Sequence, residues 1–293
     1  MVNTIHIFFR ILGLIPRPWS RRCGNFIGRL WYLSDKRRRN ITLDNLRRAF
    51  RYEKTDKEIH ILAKKVFKNI GQILFEVGWS LRLDQEDFDR YFHIEGMANY
   101  LNARDKGKGV LVLTAHMGNW ELLPVISAMT GKTVNIVYRP LDFSPLDQFF
   151  IDCRSRFGDR VLARSGAMKK IFSRIKRGEA VAMLMDQNVG WHKGVFVDFF
   201  GRRACTSKFM ALLALKTGAI VVPLFIAREN DGYRAEFGPE VPLILTGDKT
   251  RDIEENTQQY NHIIEAFVRR YPDQWFWVHQ RWKTRPYRPW PRV

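Results

Sequence analysis

The segment Thr114-Ala-His-Met-Gly-Asn-Trp-Glu121 holds an imidazole, His116, and a carboxylate, Glu121, separated by four residues. The apolar run Val110-Leu-Val-Leu113 leads into it and a helical pattern follows, so the histidine leaves a strand and the glutamate falls in the first turn of a helix. Gly118 lets the chain turn sharply between them, and the helix is expected to bring the carboxylate back toward the ring. A carboxylate on one ring nitrogen fixes the tautomer and raises the basicity of the other nitrogen, which makes a general base with an orienting partner. No GxSxG elbow supplies a Ser or Cys nucleophile, so the expected chemistry is direct activation of a substrate hydroxyl.

Two further apolar runs end in polar residues of the same kind. Val134-Asn-Ile-Val137 leads to Arg139 and Val181-Ala-Met-Leu-Met185 leads to Asp186-Gln187. In an open α/β sheet ligands bind beyond the carboxyl ends of the strands, so His116, Arg139 and Asp186 are expected at one edge. Arg139 and Arg164 either hold phosphates of the substrates or form surface ion pairs, and Asp186 either orients one of them or caps a turn. Backbone N–H groups near Gly118 and Asn119, with the Asn119 side chain, are candidate donors to a developing oxyanion.

The elements that must position these residues give an α/β fold: a mixed, largely parallel central sheet flanked by helices, preceded by an N-terminal helical membrane-associating region. A fourth buried run is Ile220 to Ile226, and helices are expected at 119–129, 166–177, 206–217 and about 251–270. The 206–217 helix should open on Thr206 or Ser207 and close on Gly218. Upstream, Thr55-Asp-Lys-Glu58 fits a capping box before Ile59, Leu62, Val66, Ile70 and Val77 at helical spacing. Residues 5–15 (IHIFFRILGLI) are too short for a bilayer core that needs about 20 apolar residues, and Trp19, Arg21 and Arg22 follow. Residues 1–20 are therefore read as an interfacial membrane segment and 21–293 as one domain, helical over 36–83 with an α/β core over 109–286.

The 293 residues carry 49 Lys+Arg against 30 Asp+Glu, a formal net charge of +19 that requires an anionic partner. The basic residues are spread rather than striped and no nucleic-acid module is present, which argues against a basic nucleic-acid-binding protein. Three scattered cysteines and seven histidines without HExxH or HxxxH spacing point to no disulfide framework, no metal site and no cofactor.

With these residues in view, the sequence resembles the bacterial lipid A biosynthesis acyltransferases, the lauroyl and myristoyl transferases of the glycerolipid-acyltransferase-like superfamily. The resemblance rests on Arg39 with Asn45-Leu46 and Phe50, TAHMGNWE at 114–121, Tyr138-Arg-Pro140 and Asp186-Gln187. It continues through Phe199-Phe-Gly201 with Ala204, Pro223, and Trp277-Val-His-Gln-Arg-Trp-Lys-Thr-Arg-Pro286. It implies acyl transfer from an acyl carrier protein thioester to a hydroxyl of a lipid A precursor at the cytoplasmic face of the cell inner membrane. His116 matches the family's general base and Glu121 its orienting partner. The sequence lacks the Pro-Glu-Gly-Thr-Arg block of the glycerol-phosphate branch and has glutamate where that branch has aspartate, which argues against a lysophosphatidate-type acceptor. Relatives acting on other glycolipids, such as phosphatidylinositol mannosides, leave a second acceptor class open.

Overall fold

The computed structural model describes residues 1–164 and 166–286. Its nine strands are β1 (Phe92–Glu95), β2 (Val110–Thr114), β3 (Val134–Tyr138), β4 (Arg160–Ala163), β5 (Ala180–Leu184), β6 (Gly194–Phe199), β7 (Arg202–Ser207), β8 (Ile220–Glu229) and β9 (Gly232–Phe237). The helices are α1 (Val2–Gly13), α2 (Arg17–Ser34), α3 (Lys36–Phe50), α4 (Asp56–Ser80), α5 (Gln85–Tyr91), α6 (Met97–Asp105), α7 (Leu123–Met129), α8 (Ser144–Ser155), α9 (Met168–Lys176), α10 (Phe209–Thr217) and α11 (Lys249–Arg270). Seven strands form one sheet in the order β1-β9-β8-β2-β5-β3-β4, and β6 with β7 make a separate hairpin. All neighbours in the large sheet are parallel except β8 and β9.

The apolar runs form the sheet because both its faces are covered, so neither needs polar residues. Leu111, Leu113, Val181, Met183 and Val221 point into a core shared with α3, α4, α9, α10 and α11. Val110, Val112, Val134, Ala180 and Val222 point into a second core closed by α5, α6 and α7. The capping box of α4 forms as read, with Thr55 and Glu58 each taking the other's backbone N–H. Gly218 ends α10 in the left-handed region at φ 68°. Thr206 and Ser207 belong to β7 instead, and α10 starts on Lys208 without a side-chain cap. The helix expected over 119–129 is split into a 3-10 turn, Trp120–Leu122, and α7, because Pro124 cannot donate in a continuous helix. The basic, aromatic tail after α11 runs on into 287–293, outside the described residues.

The N-terminal boundary read at residue 20 falls inside α2. Arg17-Pro18 starts that helix rather than ending an anchor, since a proline in the first turn needs no hydrogen-bond partner. Both α1 and α2 lie on α4 at backbone contact: a Cβ on Gly13 would strike Gly78, and one on Gly28 would strike Phe67. Phe9 of α1 is buried and stacks on Phe149 of α8 at 4.3 Å. The opposite side of the pair is apolar and exposed, with Ile7, Phe8 and Ile11 on α1, Leu14 just after it, and Trp19, Phe26, Leu30 and Leu33 on α2. Among the described residues no helix is long and apolar enough to cross a membrane.

Candidate active site

Strand register builds the centre of the site. Thr114 of β2 is paired with Leu184 of β5, so two residues further on His116 emerges opposite Asp186. The His116 Nδ1–H donates to Asp186 Oδ1 at 2.8 Å, and the His116 backbone N–H donates to Oδ2 at 3.0 Å. Trp275 Nε1–H donates to the same Oδ2 at 2.7 Å. A carboxylate only accepts, so the proton of a neutral ring sits on Nδ1 and Nε2 is bare. Gln187 lies on that side, its amide nitrogen 3.2 Å from Nε2. The imidazole is one-fifth exposed while Asp186 is buried. Burial pushes the Asp186 carboxyl up, but the attraction of His116 and the hydrogen bonds from His116 and Trp275 outweigh it and hold the group below the usual aspartate range.

The loop carrying His116 is stitched to the segment after α11. Phe276 N–H donates to His116 O at 3.1 Å, and Gly118 N–H donates to Gln274 O at 3.0 Å. Gly118 sits at φ 57°, where a Cβ would also collide with the Ile226 carbonyl, so the turn that frees the imidazole requires glycine. Trp120 meets the ring edge-to-face at 5.0 Å, and Phe276 closes it from another side at 5.9 Å. A second histidine stands close by: burial pushes the pKa of His279 down to about 4, and its Nε2 accepts from the Asn188 backbone N–H at 3.1 Å. His279 is therefore a neutral acceptor that supports the loop after Asp186.

The sequence of the bacterial lipid A biosynthesis acyltransferase family matches residues 3–284, nearly the whole chain. The chain belongs to that family. Similar proteins include the lipid A biosynthesis lauroyltransferase of Escherichia coli K12, 28% identical over 276 residues, covering 93% of this chain and 88% of the relative. The palmitoleoyltransferase of the same organism is 27% identical over 275 residues, 93% of this chain and 87% of its own. A lipid A biosynthesis acyltransferase of Haemophilus influenzae Rd is 26% identical over 281 residues, 95% of this chain and 86% of the relative.

In this acyltransferase Glu121 is not the partner of the imidazole. Its two oxygens are held by Arg154 of α8, Nε donating at 2.9 Å and Nη2 at 2.7 Å, and by Trp120 Nε1–H at 3.0 Å. The 3-10 turn points the carboxylate toward α8, and it reaches His116 only through the Trp120 indole that it holds. Asn119 is fully buried; its Nδ2 donates to Glu76 of α4 at 2.9 Å and its Oδ1 accepts the Glu121 backbone N–H. That side chain is thus occupied in shaping the loop and does not face the ring as an oxyanion donor. Glu76 in turn binds Arg228 at the end of β8, Nη2 donating at 2.6 Å. Arg139 and Arg164, at the carboxyl ends of β3 and β4, are both exposed and enter no ion pair among the described residues. Asp186 orients neither of them.

Arg154, Glu76, Arg228, Trp120 and Trp275 are the members of the site that sequence patterning missed. Each comes from a separate element, and none sits at a strand end next to an apolar run, apart from Arg228. Because the Glu121–Arg154 pair is largely buried, at 10% and 17% side-chain exposure, removing one member leaves the other charge uncompensated. Arg154→Met is expected to cost about 3–5 kcal/mol of unfolding free energy, read as a lowered urea midpoint.

Proposed function

We propose that this acyltransferase moves a fatty acyl chain from an acyl carrier protein thioester to a hydroxyl of a lipid A precursor at the cytoplasmic face of the inner membrane. His116 is its general base, held by Asp186. The observation that carries the reading is the ring geometry: Nδ1 is bonded to a buried carboxylate, while Nε2 meets the Gln187 amide nitrogen at 3.2 Å in a ring that is one-fifth exposed. The acceptor hydroxyl displaces the Gln187 amide from Nε2 and gives that nitrogen its proton as the oxygen attacks the thioester carbonyl. The new C–O bond forms as the carbonyl oxygen takes up the negative charge, and Asp186 stabilises the imidazolium. Collapse then breaks the C–S bond, and the thiolate leaves without needing strong acid help; the imidazolium returns its proton to it. Glu121 and Arg154 are positioning residues that hold Trp120 against the ring. Arg139 and Arg164, free of ion pairs among the described residues, provide cations at the same sheet edge for phosphates of the acceptor or of the carrier's prosthetic group.

The acyl chain needs an apolar slot. The aromatic residues near the site in sequence do not converge on one: Phe149 packs under α1, while Phe199 and Phe200 are buried against Trp275 and Trp277. The cavity behind β2, lined by Val112, Leu123, Ile136 and Ala182 and reaching Ser127 and Asp159, holds only about 30 Å³, far less than an acyl chain fills.

The exposed apolar side of α1 and α2, flanked by Arg10, Arg21, Arg22 and Arg29, supports an interfacial seat on an anionic bilayer. Binding to vesicles containing anionic lipid is expected to exceed binding to neutral vesicles and to fall with salt. Ile11→Asp combined with Phe26→Asp should weaken it more than about tenfold, because two apolar side chains worth about 1.5–3 kcal/mol each leave the interface. Cosedimentation measures both effects.

Mass spectrometry of lipid A from cells with and without the gene tests the function itself. The reading requires lipid A from the deleted strain to lack one acyl chain and to regain it on complementation. An unchanged lipid A with an altered second glycolipid would transfer the activity to that acceptor.

A further inference from the structure

We propose that the groove between α9 and α10 docks an acidic carrier protein through one of its amphipathic helices; this rests on the carrier-borne thioester donor proposed above. The groove has a volume of about 460 Å³. Met168, Phe172, Phe209 and Leu212 line it, and one lysine from each helix, Lys169 and Lys216, stands on its rim. Met168 is half exposed, so apolar surface is open there without a covering element among the described residues. Neither rim lysine forms an ion pair among the described residues, and Lys170, Lys176 and Lys208 beside them form none either. Glu179, at the far end of α9, is already taken by Arg160 at 3.1 Å and Arg174 at 3.2 Å. The surface is thus an apolar floor between uncompensated cations, complementary to a helix whose apolar face is bordered by carboxylates.

Its direction fits delivery to the site. β4 ends at Ala163 shortly before α9 begins, and α10 ends just before β8 begins at Ile220, with β8 parallel to β2. Both helices therefore start at the carboxyl edge of the sheet, where His116 emerges, and run back from it. A partner helix in the groove has one end at that edge, so a thioester on a flexible arm at that end can reach the imidazole. A bilayer is broad and flat and suits the apolar side of α1 and α2; a slot between two helices suits a single helix.

The test uses the full chain with Lys169→Glu and Lys216→Glu together, both rim positions being exposed. Initial rates are measured against acyl carrier protein thioester and, separately, against the same acyl group on pantetheine, which carries no protein. The KM for the carrier-borne donor is expected to rise about tenfold or more, with the KM for acyl-pantetheine and both kcat values unchanged. An unchanged carrier KM overturns the proposal, as does an equal loss with both donors. Loss of anionic-vesicle binding with an intact carrier KM overturns it in favour of a membrane contact. If the unaltered enzyme transfers from pantetheine but never from the carrier protein, the donor assignment itself falls and the docking proposal with it.

Discussion

His116→Ala is expected to lower the rate of acyl transfer by about 10²–10⁴-fold, the range that a positioned general base supplies. No other imidazole can take its place, because half-buried His279 already accepts the Asn188 N–H. The substitution also removes one of three donors to a buried carboxylate. The His116 backbone and Trp275 still bind Asp186, so the loss of stability should stay within about 1–3 kcal/mol. A purified, folded variant that retains more than about a tenth of the wild-type rate would contradict the base role.

Asp186→Asn should be nearly as damaging although it changes no volume. All three neighbours of the carboxylate donate: the His116 ring, the His116 backbone and the Trp275 indole. An amide has one oxygen, so one of the two terminal positions becomes an NH₂ group aimed at a donor. If that position faces the ring, the proton moves to Nε2 and the base is lost. If it faces Trp275 and the backbone, two buried donors lose their acceptor. The expected outcome is a kcat lowered by about 10²–10⁴-fold by the wrong tautomer, with a lowered Tm from the unpaired groups. Asp186→Glu should not rescue it, since a longer side chain cannot hold both bonds in a packed site. Stability has a matching pH dependence. The Asp186 carboxyl is held below its unfolded value, so the stabilisation it gives is present above the ordinary aspartate range and is lost as pH falls through the lower folded value.

Glu121→Gln is expected to be milder, because its link to the ring runs through Trp120 and an amide oxygen can still accept the indole N–H. The contrast between Glu121 and Asp186 also explains what the sequence could reveal. Apolar runs ending in His116, Arg139 and Asp186 were enough to place all three at the carboxyl edge of a sheet, since that follows from parallel topology alone. Which carboxylate meets the ring depends on β2 lying beside β5, and strand order is set by packing between segments seventy residues apart. Sequence proximity pointed to Glu121, but the 3-10 turn at Trp120 turned it toward Arg154 instead. Trp275 was hidden for the same reason: it arrives from the return segment after α11 and has no local pattern. At the N-terminus, hydropathy and charge suggested a boundary near residue 20. The better signal is the set of small residues Gly13, Gly24 and Gly28, which lie against Gly78, Gln72 and Gly71 of α4 respectively, where the backbones touch.

The pairing of His116 with Asp186 is tested most directly by ¹⁵N NMR of the histidine rings in the full-length protein, at a pH where the His116 ring is neutral, with His116→Gln used to assign the signals. The prediction is a proton on Nδ1 and an unprotonated Nε2, with the Nδ1 proton shifted downfield by its bond to the carboxylate. A neutral ring carrying its proton on Nε2 would contradict it and remove His116 as the base.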